Sequence, residues 1–97
     1  MAQHSNELSE QLDLIRTIVH QSDCDAEVRL FCADPDEINI DKEIYLLILS
    51  QKITIDMWFY LEYQLRKEFK GRFVKTFVVR EINSGLLRIA YDCSVKI

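Results

Sequence analysis

The stretch LFCADPDEINIDKEIYLLIL, residues 30–49, sets five carboxylates, Asp34, Asp36, Glu37, Asp41 and Glu43, in and beside a polar loop between two apolar runs. Carboxylates are the hard oxygen ligands that Mg²⁺ selects, and two of them one residue apart on a strand project from the same face. Asp41 and Glu43 have that spacing. Such a pair could hold a Mg²⁺ beside a phosphate group. The plain alternative is that the loop acids are solvated and do nothing further.

Other chemistry finds less support. Cys24, Cys32 and Cys93 form no Cys-x-x-Cys pair, and an odd number is a poor disulfide framework. They read as buried or half-buried free thiols, as in a reducing compartment. His4 and His20 lie far apart and near no cysteine pair, which argues against zinc. No Ser-His-Asp or Cys-His arrangement is forced by the spacing.

The elements that must position these residues follow from composition and periodicity. Ninety-seven residues suffice for one domain, residues 1–97, with a single core. With 48% hydrophobic and 29% charged residues the chain is composed like a globular protein, and one Pro and two Gly leave little room for long loops. A net charge of −4 argues against a protein whose task is to coat nucleic acid. No run is long and apolar enough to span a membrane and the first residues carry no secretion signal, so a cytoplasmic location is expected.

Leu8, Leu12, Ile15 and Val19, widened by Leu14 and Ile18, predict a helix over 5–21, with Ser5 or Ser9 as its cap. Residues 26–32 alternate as a strand, and 43–49 are apolar enough for a central strand covered on both faces. Residues 53–70 predict a helix with one face running through Ile55, Trp58, Phe59, Glu62, Leu65 and Phe69, Leu61 beside it, and Gly71 as its stop. A strand at 73–79, a short helix capped by Asn83 or Ser84, and a terminal strand complete the order α-β-β-α-β-α-β. The first two strands have no helix between them and should pair antiparallel, whereas the long helix allows a parallel crossover to the third. The expected class is α+β, a small mixed sheet with helices packed on it.

Three segments carry a resemblance. VRLFCA (28–33) stands where a first strand would end in Leu-Phe-Gly-Ser, and EIYLLIL (43–49) where Asp-x-Asp would lead a second strand. EINSGLLRIAYDCSVKI (81–97) looks like a closing helix and strand. Together they resemble the minimal nucleotidyltransferases, small members of the polymerase-β-like superfamily, over residues 12–97. The resemblance implies a fold in which Gly-Ser cradles phosphates and three Asp hold Mg²⁺. Here the motif positions carry Cys32 and Ala33 in place of Gly-Ser, and Glu43 and Tyr45 in place of Asp-x-Asp. The third Asp would fall near Lys75, Thr76 or Phe77, none of them a carboxylate. A Cβ at the glycine position obstructs the approach of phosphate to backbone, and one remaining ligand does not hold a metal.

The implied function is therefore that of a catalytically degenerate member, with no catalytic residue and no cofactor, acting as an interaction or antitoxin-like regulatory subunit. Its implied partner is a small helical protein of the HEPN type, or a second copy in a homodimer. The aromatic run WFYLEY (58–63) offers Tyr60 and Tyr63 to such a partner, and the basic cluster that follows offers Arg66. The alternative is a divergent Mg²⁺-dependent nucleotidyltransferase using ATP, with Asp41 and Glu43 as its metal ligands and catalytic groups.

Overall fold

Leu8, Leu12, Ile15 and Val19 do wind onto one side of a helix, α1 (Ala2–Ser22), and Ile15, Ile18 and Val19 are buried. The structure, a computed structural model, describes residues 2–32 and 36–97, with side chains from residue 7 onward. The helix begins at Ala2, so Ser5 and Ser9 lie inside it rather than at its cap. The chain continues through β1 (Glu27–Phe31), β2 (Glu43–Leu49), α2 (Ile55–Glu68), β3 (Phe73–Val79), α3 (Gly85–Asp92) and β4 (Ser94–Lys96). The class is α+β and the order is the expected one.

The four strands form one mixed sheet, β3-β2-β1-β4. β1 runs antiparallel to β2 and β4, and β2 runs parallel to β3 through the α2 crossover. A parallel connection is almost always right-handed, so steps in opposite directions along a sheet place their helices on opposite faces. α2 joins β2 to β3 on the face it shares with α1, and α3 carries the chain back across the sheet on the other face. There the Tyr91 hydroxyl donates to Glu27 at 3.1 Å, and the Arg29 guanidinium lies 3.9 Å above the Tyr91 ring.

Period-two alternation decides what each face receives. Val28, Leu30, Ile44, Leu46, Ile48 and Val74 point under α1 and α2 and are buried with Leu61, Leu65 and Phe69. On the other face the rings of Phe31 and Phe77 meet edge to face at 6.2 Å, spanning β2, and Leu47 is buried there. That cover is incomplete: Tyr45 and Leu49 are half-buried, and Phe73 and Phe77 remain exposed. β2 is thus central and closed by helices on one face only.

The ends of α2 follow local rules. Thr54 caps its start, its hydroxyl accepting from the Met57 amide at 3.3 Å, and the chain leaves through Gly71, whose φ of 84° favours glycine. Ser84 caps α3 in the same way.

The buried face of α2 is the expected one at Leu65 and Phe69, with Leu61 beside them and Trp58 and Glu62 half-buried, but it excludes Ile55 and Phe59. Ile55 and Phe59 are 66% and 70% exposed, while Leu61, Leu65 and Phe69 take the core. Apolar residues occupy most of the circumference of this helix, but one sheet face and one neighbouring helix cover only a stripe. The stripe that wins is centred on Leu61 and Leu65, and Ile55 and Phe59 fall outside it. Among the described residues no helix is long and apolar enough to cross a membrane.

Candidate functional site

The loop between β1 and β2 returns beside the strand it left, because the two strands are antiparallel neighbours. Ile40 anchors it in the core, the Asn39 side chain accepts from the Asp41 amide at 2.9 Å, and the Phe73 amide donates to the Lys42 carbonyl at 2.8 Å. An open depression of about 630 Å³ results, lined by Phe31, Cys32, Glu37, Asn39, Asp41, Lys42, Glu43 and Tyr45. Four of the positions singled out in the sequence, Cys32, Asp41, Glu43 and Tyr45, therefore share one site. Ala33, the remaining motif position, lies outside the described residues, as do Asp34 and Pro35.

Register shows what the depression can hold. Glu43 pairs with Phe73 and Tyr45 with Lys75 across the parallel β2–β3 ladder. Side by side on this face, Glu43, Tyr45 and Lys75 thus present one exposed carboxylate, a phenol ring and an ammonium. The Tyr45 ring packs on Phe73 at 5.7 Å, and Lys75 Nζ lies 5.9 Å from the centre of the Phe77 ring. This donor set does not fit Mg²⁺, which needs several oxygens around one point. Among the described residues no group of three or more His, Cys, Asp or Glu side chains is placed to hold a metal. Asp41 and Glu43 themselves are exposed.

The second candidate surface is the outer side of α2. Tyr60 and Tyr63 are as open as Ile55 and Phe59, so four large apolar or aromatic side chains face outward within nine residues. Tyr60 and Tyr63 also line a shallow groove of about 270 Å³ between α1 and α2, with Leu14, Ile18, Gln21 and Lys67. Arg66 is partly committed elsewhere: its guanidinium pairs with Glu62 at 2.6 Å and donates to the Val74 carbonyl at 3.4 Å.

Two polar networks escape a reading of the sequence. Glu62 accepts from both the amide and the hydroxyl of Thr76, and the Trp58 indole donates to the same hydroxyl at 2.7 Å. The signal was a carboxylate on the expected buried face of α2, which must find donors there. At the other end of the sheet Asp23, only 4% exposed, accepts from the Ser50 hydroxyl at 2.6 Å. That hydroxyl in turn accepts from the amides of Lys52 and Ile53. The Ser50 bond lowers the Asp23 carboxyl below its ordinary value, against the upward push of burial, with help from the Asp25 amide. Glu27 is also lowered: burial pushes it up, but the bonds from Arg29 and Tyr91 outweigh that.

The first network seals the edge of β3 against α2, and the second ties the turn after α1 to the turn after β2. Neither lies in the depression, and both read as parts of the frame. No protein-family model, curated protein or solved structure matches this chain.

Proposed function

We propose that this chain is a binding or regulatory subunit, a nucleotidyltransferase-like frame without working metal ligands, which engages a protein partner through the outer face of α2. The observation that carries this reading is the exposure of Ile55, Phe59, Tyr60 and Tyr63 side by side on one helix. Aromatic side chains that leave water on association are the usual anchors of protein interfaces. The partner class follows from the resemblance: a small helical protein of the HEPN type in an antitoxin-like pair, or a second copy of this chain. Tyr45, and Lys75, Thr76 or Phe77, at the positions to which the resemblance assigns carboxylates, support the loss of metal-dependent transfer.

The reading makes opposite demands on the two surfaces. Sedimentation of the chain alone, and of the chain co-expressed with a small helical HEPN-type protein, should show an assembly that Phe59→Glu or Tyr63→Glu dissolves. Asp41→Ala and Glu43→Ala should leave that assembly intact. Calorimetric titration with ATP and Mg²⁺ tests the competing enzyme reading on the same proteins. Magnesium-dependent heat that vanishes in Glu43→Ala would overturn the proposal and make Asp41 and Glu43 a working site.

A further inference from the structure

Cys32 and Cys93 are distant in the chain and adjacent in the fold. β1 and β4 pair with Leu30 opposite Val95 and Phe31 opposite Ser94. One residue beyond that register the Cys32 amide donates to the Cys93 carbonyl at 3.4 Å. At the other end of the pair the Ile97 amide donates to the Val28 carbonyl, so single backbone bonds close the β1–β4 pairing at both ends. A direct backbone bond brings the two α-carbons near the separation of roughly 4.4–6.8 Å that a disulfide spans.

Both thiols are free. Cys93 is exposed and Cys32 half-buried at the edge of the depression, so neither is locked in the core. Cys24 is free as well, but it precedes β1 while Cys32 follows it. Five strand residues separate them by about 17 Å, beyond the reach of a disulfide.

We propose that Cys32 and Cys93 form a redox pair, which a small-molecule disulfide such as oxidised glutathione closes to an intramolecular bond. One protein thiolate attacks the external disulfide, giving a mixed disulfide and releasing one small thiol. The second protein thiolate then attacks the protein sulfur of that intermediate, forms the Cys32–Cys93 bond and releases the second small thiol. Two electrons pass to the oxidant, and the two protein protons end on the two thiols released.

The bond would act on the most weakly held helix. Cys93 is the C-terminal cap of α3, bonded through its amide to the Ile89 carbonyl at 3.0 Å. None of the residues of α3 is buried, and Leu86 is 82% exposed. A link to Cys32 fastens α3 and β4 to the end of β1, at the rim of the depression. This inference is independent of the partner proposed above.

Equilibration of the protein in glutathione buffers of increasing oxidation, with free-thiol counts, non-reduced peptide mapping and amide hydrogen exchange, tests it. The three free thiols should fall to one, in a single-chain species whose map joins Cys32 to Cys93. Amide exchange in α3 should slow by about tenfold as local opening is restrained. Cys24→Ser should form the same bond, whereas Cys32→Ser and Cys93→Ser should not. The wild-type map decides the matter even if a serine variant fails to fold. Mixed disulfides with glutathione alone, bonds between chains, or three persistent thiols would overturn the pairing, and unchanged exchange in α3 would overturn its effect.

Discussion

The backbone amide of Thr76 donates to Oε2 of Glu62 at 3.2 Å, so a helix side chain takes a hydrogen-bonding place on the outer edge of the sheet. β3 is an edge strand, and its ladder to β2 leaves the amides and carbonyls of alternate residues turned outward. Arg66 fills another such place at the Val74 carbonyl. A long apolar edge invites pairing with other chains, and charged side chains on it suppress that.

Glu62→Ala removes the acceptor of two Thr76 donors and the partner of Arg66. We expect it to cost about 1–3 kcal/mol in urea unfolding, the range for unsatisfied buried donors. It should also promote concentration-dependent association through the freed edge, seen in sedimentation. A variant as stable and as dispersed as the parent would show that the edge bond contributes nothing.

The phase of α2 separates two kinds of apolar residue. Leu61→Ala or Leu65→Ala, at fully buried positions, should cost about 2–5 kcal/mol. Ile55→Ser and Phe59→Ser, at exposed positions, should stay within about 0.5 kcal/mol of the parent. Thermal unfolding of the four variants ranks them, and a large loss at Phe59 would mean that the helix sits in a different rotation.

Asp23 gives stability a pH dependence of defined sign. Its carboxyl is lowered from the ordinary 3.8, chiefly by the Ser50 hydroxyl. The folded protein therefore favours the ionised form, and the stabilisation is fully present above the unfolded-state value. It is lost as pH falls through the lower folded-state value. Ser50→Ala should be less stable than the parent at neutral pH, with the difference shrinking in strong acid. Denaturant midpoints measured across that range test this, and a constant difference would remove Asp23 from the account.

The register also predicts how a metal site could be built on this face. Tyr45 and Lys75 are direct neighbours on β2 and β3, and Glu43 shares their face. Tyr45→Asp combined with Lys75→Asp brings two carboxylates beside Glu43, a donor set suited to a divalent cation. Calorimetry should detect Mg²⁺ or Mn²⁺ binding to the double variant that the parent lacks. Equal binding by the parent would contradict the misfit of the present residues.

What the sequence determined by itself was local. The period of Leu8, Leu12, Ile15 and Val19, the alternation of 26–32, the apolar run of 43–49, the stop at Gly71 and the cap at Asn83 or Ser84 set the element order. The absence of a helix between β1 and β2 made them antiparallel, and that alone gathers Cys32, Asp41, Glu43 and Tyr45 around one depression. These features depend on neighbours a few residues apart, whose spacing is visible along the chain.

Tertiary structure decided the rest, because it depends on rotation and register between distant segments. α2 is apolar around most of its surface, so the limits of its buried face were set only when the sheet and α1 covered the stripe around Leu61 and Leu65. That choice exposed Ile55 and Phe59, and the crossover to β3 supplied Thr76 as the partner of Glu62. The Asp23–Ser50 bond, the Tyr45–Lys75 pairing and the meeting of Cys32 with Cys93 likewise required strands far apart in sequence to lie side by side. Such contacts form only when the chain closes long loops, and no short-range periodicity records which residues will then face each other.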